Sequence, residues 1–147
     1  MESTLLEIGE TAHALRRAFD RHASALGVTR AQWRVLVNVS RSPGLRQVEL
    51  ADLLDIEPIT LCRIIDRMEG SGLVERRRDP GDRRAWQLQL TGTAKPLIEK
   101  LRVIGSDLFE KSFAGLSDRE IKNLRASLAT IRHNVAALPQ AQKASHG

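Results

Sequence analysis

The sequence of 147 residues predicts a mainly α-helical protein with one small β-hairpin. Three observations lead to this prediction. Apolar residues recur every three or four positions near both ends of the chain, which is the period of an amphipathic helix. Three shorter helical segments, bounded by Gly, Pro, Ser and Thr, occupy the middle. Two strand-like runs then flank the turn sequence Asp79-Pro80-Gly81-Asp82.

The first and last segments each predict a long helix with an apolar stripe. The first helix ends at Gly27, and the last begins at a capping box formed by Ser117 and Glu120 and ends at Pro139. Because the chain holds no further helix of equal length to cover both stripes, we expect them to pair with a second copy of the chain. The predicted dimerisation residues are Leu5, Ile8, Leu15, Phe19, Leu124, Leu128, Ile131 and Val135.

Another helix is predicted from about Thr91 to Phe113, with Thr91 as its N-cap. Residues 1–27 and 92–139 are therefore the predicted dimerisation helices. Residues 140–147 are small and polar, and we expect this tail to be disordered.

The segment between the long helices, residues 28–91, has the element order of a winged helix-turn-helix. Its predicted elements are a helix opened by the Thr29–Gln32 capping box, a helix at Gln47–Leu54, a helix at Pro58–Glu69, and strands at about 73–78 and 85–90. In this arrangement the third helix is the recognition helix that enters the DNA major groove. The predicted fold class is thus mainly α with a small β-wing: a winged helix-turn-helix flanked by N- and C-terminal dimerisation helices.

The predicted recognition helix has two distinct faces. Leu61, Ile65 and Met68 recur at helical spacing and predict the buried face. The predicted DNA-contacting residues of this helix are Pro58, Thr60, Arg63 and Arg67. Arginine side chains at such positions can bind guanine through two hydrogen bonds. The alternative is that both arginines are solvated surface charges paired with Asp66 or Glu69.

The predicted hairpin is rich in arginine. Five of the nine residues from Arg76 to Arg84 are arginines, and a protruding ribbon of this kind can enter a minor groove. Asp79 and Asp82 are expected to orient particular guanidinium groups. The predicted DNA-contacting residues of the wing are Arg76, Arg77, Arg78, Asp82, Arg83 and Arg84. The alternative is a solvated turn with many charges.

The charge total alone does not predict a nucleic-acid partner. The chain carries a net charge of +5, but residues 41–84 hold nine arginines and nine acidic residues and are formally neutral. The prediction of DNA binding therefore depends on where the arginines lie.

Several other classes of protein are not supported. Motifs such as G-x-S-x-G, the Walker loop and H-E-x-x-H are absent, so we predict no enzyme. The four histidines show no metal-ligand spacing, so neither a metal nor a cofactor is expected. The single cysteine, Cys62, is interpreted as a small structural side chain. With no signal peptide and no apolar run of about 18 residues, the chain is predicted to be cytoplasmic, with no membrane partner.

Residues Val28–Thr91 resemble the MarR family of transcriptional regulators. The resemblance lies in Leu50-Ala51-Asp52-Leu53-Leu54, in the segment from Ile65 to Arg76, and in Asp82-Arg83-Arg84 followed by Leu88-Gln89-Leu90-Thr91. The Asp-x-Arg sequence at 82–84 is its most specific feature. The segments Gln32-Trp33, Gln47–Ala51, Ile56-Glu57 and Ala94–Ile98 are most similar to the SlyA branch. Because this family dimerises through its flanking helices, residues 1–147 are expected to form a single MarR-like domain.

The resemblance implies a homodimer on a pseudo-palindromic operator in double-stranded DNA. It implies that Arg84 lies in the minor groove and that Thr60 and Arg63 lie on the major-groove face. Many members release DNA when a phenolic or aromatic carboxylate binds between the dimer helices and the DNA-binding lobe. We therefore expect a repressor relieved by such an effector, whose binding residues the sequence does not identify. Two alternatives stay open: a SlyA-like activator that displaces nucleoid proteins without an effector, and a winged-helix module for protein–protein assembly.

Overall fold

The computed structural model describes residues 2–139, which form six α-helices and one two-stranded antiparallel sheet. The helices are α1 (Glu2–Ser24), α2 (Arg30–Arg41), α3 (Gln47–Leu54), α4 (Pro58–Gly70), α5 (Lys95–Ser112) and α6 (Asp118–Ala136). The strands are β1 (Val74–Arg78) and β2 (Trp86–Leu90), and a short 3-10 turn covers Gly92–Ala94. The predicted fold class is confirmed. No helix between residues 2 and 139 is long and apolar enough to cross a membrane.

Both predicted capping boxes are confirmed. The Thr29 hydroxyl accepts a hydrogen bond from the backbone N–H of Gln32 at 3.2 Å, and the Gln32 side chain accepts one from the Thr29 N–H at 3.1 Å. Ser117 and Glu120 make the same reciprocal pair at the start of α6. Each pair satisfies backbone donors that the first turn of a helix leaves without partners. The sequence therefore determines these two helix starts locally.

Two predicted helix ends are wrong by a few residues. Helix α1 ends at Ser24 rather than at Gly27, and Gly27 lies beyond it at a φ of +74°, where a side chain would be strained. Helix α5 begins at Lys95 because the 3-10 turn precedes it. The Thr91 hydroxyl does not cap a helix; it donates to the backbone oxygen of Gly72 and so ties the end of β2 to the start of the hairpin.

The loop between α2 and α3 pairs with the free edge of β2 through an isolated β-bridge. Strands β1 and β2 pair from Val74 opposite Leu90 to Arg78 opposite Trp86. On the free side of β2, the Leu88 N–H donates to the Leu45 oxygen at 2.9 Å, and Arg46 pairs with Gln87. This pairing connects the wing to the helix-turn-helix through backbone bonds.

The core joins the inward faces of α2, α3 and α4 to the inner face of the hairpin. Its largest fully buried side chains are Leu36, Leu50, Leu61, Ile65, Met68 and Leu88. Burying each such side chain stabilises the fold by roughly 1.5–3 kcal/mol. The same packing holds α4 by one face only, so its opposite face lies in solvent.

Two compact units meet at the boundary between Phe109 and Glu110. In the first unit, Phe19 of α1 packs on Trp33 of α2, with ring centroids 4.5 Å apart, whereas Leu5 is 72% exposed. In the second unit, α6 has no buried residue among those described, and its apolar stripe is largely in solvent. The tail predicted to be disordered lies outside the described residues.

Candidate nucleic-acid interface

Helix α4 presents the predicted polar face to solvent. Pro58 occupies the first turn, where its missing N–H costs no hydrogen bond. Leu61, Ile65 and Met68 are fully buried against the core. The residues predicted to contact DNA from this helix, Pro58, Thr60, Arg63 and Arg67, are all exposed.

The carboxylates that could have neutralised this face bind elsewhere. Asp66 and Glu69 both turn towards Arg76, whose Nη1 lies 2.7 Å from Asp66 Oδ1 and 3.1 Å from Glu69 Oε1. Within residues 2–139, no acidic side chain forms an ion pair with Arg63 or Arg67. The alternative in which Asp66 or Glu69 pairs with these arginines is therefore wrong.

Arg76 does not lie at the exposed wing surface as predicted. Its side chain is only 12% exposed, and besides the two carboxylates it donates to Gln47 Oε1 at 3.0 Å and to the Cys62 carbonyl at 3.2 Å. Burial lowers the pKa of Arg76, but the hydrogen bond to Asp66 and the charges of Asp66 and Glu69 outweigh burial and raise it. Arg76 thereby joins α3, α4 and β1 at the base of the hairpin.

Asp79 binds a different partner from the one predicted. We expected a wing guanidinium, but Asp79 accepts hydrogen bonds from Arg46 Nε at 2.8 Å and from Gln87 Nε2 at 3.1 Å. It also accepts bonds from the backbone N–H groups of Gly81 and Asp82. The bond from Arg46, followed by those from Gln87 and Gly81, lowers the pKa of Asp79 from 3.8 to about 2.

The second aspartate of the wing orients backbone rather than a guanidinium. Asp82 Oδ1 accepts a hydrogen bond from the backbone N–H of Arg84 at 3.0 Å. This bond belongs to a tight turn in which the Asp79 N–H also donates to the Ala85 oxygen at 3.1 Å. Asp82 therefore fixes where the Arg84 side chain leaves the turn.

The remaining wing arginines differ in how they are held. Arg77 pairs with Glu75 at 2.5 Å, and Arg78 lies over the Trp86 ring at 4.4 Å while donating to the Arg83 carbonyl. Arg83 and Arg84 are exposed, and no carboxylate in the described part of the chain pairs with either guanidinium. The wing thus carries two unpaired cations at its turn and two restrained ones along its strands.

Cys62 is half-buried on α4, on the side that contacts Arg76. Its Sγ lies 3.6 Å from Arg76 Nη2. Its interpretation as a structural residue stays a prediction. Among residues 2–139, no three His, Cys, Asp or Glu side chains are grouped closely enough to hold a metal ion.

A cavity of about 450 Å³ lies between α1, α2 and α5. Its apolar wall includes Phe19, Val37 and Ile98, and Arg41 and Arg102 lie at its polar side. Sequence reasoning missed this cavity because its lining residues are far apart along the chain. Trp33 packs on Phe19 and donates its indole N–H to Asp20 Oδ1 at 2.7 Å.

Sequence reasoning also missed Arg46, Gln47 and Gln87 as parts of the interface scaffold. Arg46 and Gln87 both donate hydrogen bonds to Asp79, from 33 and 8 positions away. Gln47 accepts a hydrogen bond from Arg76, 29 positions away. A β-bridge of one or two residues, such as that at Leu45-Arg46, is too short to show an alternating pattern. No local signal could have revealed these three contacts.

Together, a helix-turn-helix with an exposed polar recognition face and an arginine-rich hairpin define a winged-helix protein. A model of the MarR family matches residues 26–85. The solved transcriptional regulator PA3341 is 33% identical, with a TM-score of 0.81 over 92% of this chain and 98% of that one. The regulator SlyA is 30% identical, with a TM-score of 0.75 over 90% and 93%.

The chain belongs to the MarR family of transcriptional regulators. Since the similarity to SlyA does not exceed that to PA3341, these matches establish the family and not the branch. A further match is a regulator from Listeria monocytogenes solved in complex with a 26-mer DNA. It is 24% identical, with a TM-score of 0.79 over 90% of this chain and 88% of that one, and it shows a shared fold.

Proposed function

We propose that this protein is a homodimeric, sequence-specific regulator that binds double-stranded DNA and represses transcription until a small aromatic carboxylate releases it. The observation that carries the proposal is the exposed face of α4, where Arg63 and Arg67 lack carboxylate partners within the described chain. The relative from Listeria monocytogenes, which shares the fold and was solved with DNA, supports the same function.

In this proposal α4 reads bases and the wing reads groove shape. Arg63 donates two hydrogen bonds to the O6 and N7 atoms of a guanine, with Thr60 and Arg67 beside it. Arg84, whose backbone is held by Asp82, inserts into the flanking minor groove, where the negative potential favours a guanidinium. Arg77, Arg78 and Arg83 contact phosphates, which gives affinity without base specificity.

The second copy of the chain is proposed to cover the exposed apolar stripes. Leu5 is 72% exposed on α1, Val135 is 60% exposed on α6, and Leu138, just beyond the end of α6, is 64% exposed. Apolar residues repeated along a whole helix are costly to leave in water, and a symmetric dimer buries both stripes at once. Two copies then place two recognition helices in successive major grooves, about 10 base pairs apart.

The cavity between α1, α2 and α5 is the proposed effector site. Its volume lies in the range of small-molecule binding sites, and its apolar wall would contact the faces of an aromatic ring. The guanidinium groups of Arg41 and Arg102 are the nearby donors for a carboxylate. The cavity lies between α2, which belongs to the DNA-binding lobe, and the flanking helices α1 and α5. A ligand bound there can therefore shift the lobe relative to the proposed dimer helices and change the distance between the two recognition helices.

The DNA-binding proposal is tested by selecting bound duplexes from a random library and measuring affinity across a salt series. We expect an inverted repeat to be enriched. Arg63→Ala should cost about 1 to 3 kcal/mol per half-site and remove base preference at one position. Binding of equal strength to all duplexes by the wild type would contradict sequence-specific recognition.

The effector proposal is tested by filling the cavity. The Cβ that a side chain would add at Gly105 lies 3.7 Å from Phe19 Cε2, so Gly105→Ala fits and Gly105→Leu occupies the cavity. We expect salicylate to release DNA from wild type and Gly105→Ala but not from Gly105→Leu, with DNA affinity otherwise kept. If salicylate and related aromatic carboxylates never release DNA, an effector-free regulator that displaces other DNA-bound proteins becomes the better hypothesis.

A further inference from the structure

Ile59 is an exposed apolar residue in the first turn of α4, on the face that this helix presents to solvent. It is 62% exposed, and it does not pack against the buried core. At 100° per residue, Ile59 and Arg63 point most directly away from the buried Leu61, Ile65 and Met68. Ile59 precedes Arg63 by four positions, so the two side chains are neighbours on the helix surface.

A single exposed isoleucine is common on protein surfaces and needs no explanation by itself. Here its position gives it meaning, because the other residues proposed to face DNA from α4, which are Thr60, Arg63 and Arg67, are polar or charged. A solvated face without a partner gains nothing from a branched apolar side chain among these residues. In a major groove, by contrast, one edge group is apolar: the C5 methyl of thymine.

We propose that Ile59 is a specificity-determining residue that contacts a thymine methyl in each operator half-site. This inference rests on the proposed DNA-binding function and adds a second base to the one assigned to Arg63. Four residues of helix rise about 6 Å, which corresponds to about two base-pair steps. The thymine should therefore lie within about two base pairs of the guanine that Arg63 binds.

The methyl contact can be tested by removing only the methyl. Replacing thymine by deoxyuridine keeps every hydrogen bond of the base pair and deletes the C5 methyl group. We expect deoxyuridine at one thymine of each half-site to weaken wild-type binding about three- to five-fold per half-site, the size expected for one buried methyl group. The probes are the duplex enriched from a random library and its single deoxyuridine substitutions.

The decisive comparison is between variants on the same probes. Ile59→Ala should bind the thymine and deoxyuridine duplexes equally, because its short side chain cannot reach the methyl. Val48→Ala is the matched control: Val48 is 61% exposed on α3, so its truncation removes a similar apolar surface elsewhere in the lobe. The control should keep the full sensitivity to deoxyuridine.

Three outcomes would overturn the inference. Sensitivity that persists in Ile59→Ala, or that is lost in Val48→Ala instead, would place the methyl contact elsewhere while leaving specific DNA binding intact. A selected duplex with no deoxyuridine-sensitive thymine near the guanine would exclude the contact. A selection from the random library that enriches no sequence would contradict the proposed function, and this inference would fail with it. Because Ile59 is exposed, an unchanged unfolding midpoint should accompany its truncation.

Discussion

Arg76 and Asp79 are charged residues of the hairpin that connect it to the helices. Arg76 binds Gln47 of α3 and the carboxylates of Asp66 and Glu69 on α4. Asp79, which is 6% exposed, accepts a hydrogen bond from Arg46, which lies in the loop before α3. Buried charges are stable only where several hydrogen bonds replace water, and both residues satisfy this condition. They therefore position the groups that are proposed to contact DNA and need not touch DNA themselves.

Arg76→Ala should lower the stability of the fold, whereas Arg77→Ala should change the salt dependence of DNA binding. Arg76→Ala leaves Asp66 and Glu69 without their cation and should lower the free energy of unfolding by about 1 to 3 kcal/mol. If Arg76 makes no phosphate contact, the slope of log affinity against log salt should stay unchanged. Arg77→Ala should leave stability nearly constant and reduce that slope by about one unit. A reduced slope in Arg76→Ala would show that Arg76 does bind phosphate.

Asp79→Asn should destabilise the protein in a pH-dependent manner. The pKa of Asp79 is lowered from 3.8 to about 2 in the folded chain, so its carboxylate stabilises the fold above pH 3.8 and loses this contribution as the pH falls towards about 2. The urea midpoints of wild type and variant should differ at neutral pH and converge in acid.

Asp82→Asn removes a carboxylate charge from an exposed position of the same turn and is the matched control variant. If the difference in urea midpoint between wild type and Asp79→Asn is the same at about pH 6 and about pH 3, the hydrogen bonds from Arg46 and Gln87 do not stabilise the charged carboxylate. Measurements at pH values where both proteins are folded in the absence of urea are sufficient for this comparison.

At the scale of elements, α4 and the wing should contribute separately to recognition. Arg84→Ala should weaken operator binding and chiefly alter the preference for A·T-rich flanks, because an inserted arginine senses minor-groove width. Asp82→Ala should reproduce part of this loss, since it removes the carboxylate that accepts a hydrogen bond from the Arg84 backbone N–H. Simple electrostatics predicts the opposite for Asp82→Ala, because the substitution removes a negative charge near DNA.

Affinity for operator and random duplexes across a salt series distinguishes these two expectations. Tighter binding by Asp82→Ala, together with no effect of Arg84→Ala, would show that the wing does not enter a groove. The assignment of α4 as the recognition helix would survive that result.

At the scale of the whole molecule, dimerisation should be inseparable from folding. Leu128 lies in the apolar stripe of α6, and Leu128→Asp would place a charge where a second chain is proposed to pack. We expect this variant to lose both the dimer and the cooperative unfolding transition. Ala126→Asp introduces the same charge on the exposed opposite side of α6 and should leave both intact.

Light scattering is the measurement for the wild type, which should give about twice the chain mass of 16.4 kDa at micromolar concentration. A wild-type monomer that still binds an inverted repeat with full affinity would contradict the proposed assembly. A Leu128→Asp variant that remains a dimer would show that α6 is not part of the interface.

Local sequence was sufficient to predict most elements and the outward face of α4. Pro58 at the first turn and the Thr29 and Ser117 capping boxes act within three or four residues, so spacing alone revealed those helix starts. The buried face of α4 followed from the spacing of Leu61, Ile65 and Met68. Ile59 was missed as a surface residue of interest, although its spacing of four from Arg63 was visible in the sequence.

The sequence by itself determined the element order, the helix faces and the clustering of arginine in the wing, because these depend on residues close together in the chain. Only the tertiary structure decided which arginines are free. Arg76 pairs with Gln47 across 29 positions, and Asp79 pairs with Arg46 across 33. The cavity between α1, α2 and α5 likewise requires three separate elements to meet. The sequence around a charged residue looks the same whether its side chain faces solvent or a buried partner. Its role therefore depends on contacts between distant parts of the chain, which the spacing of residues in the sequence does not show.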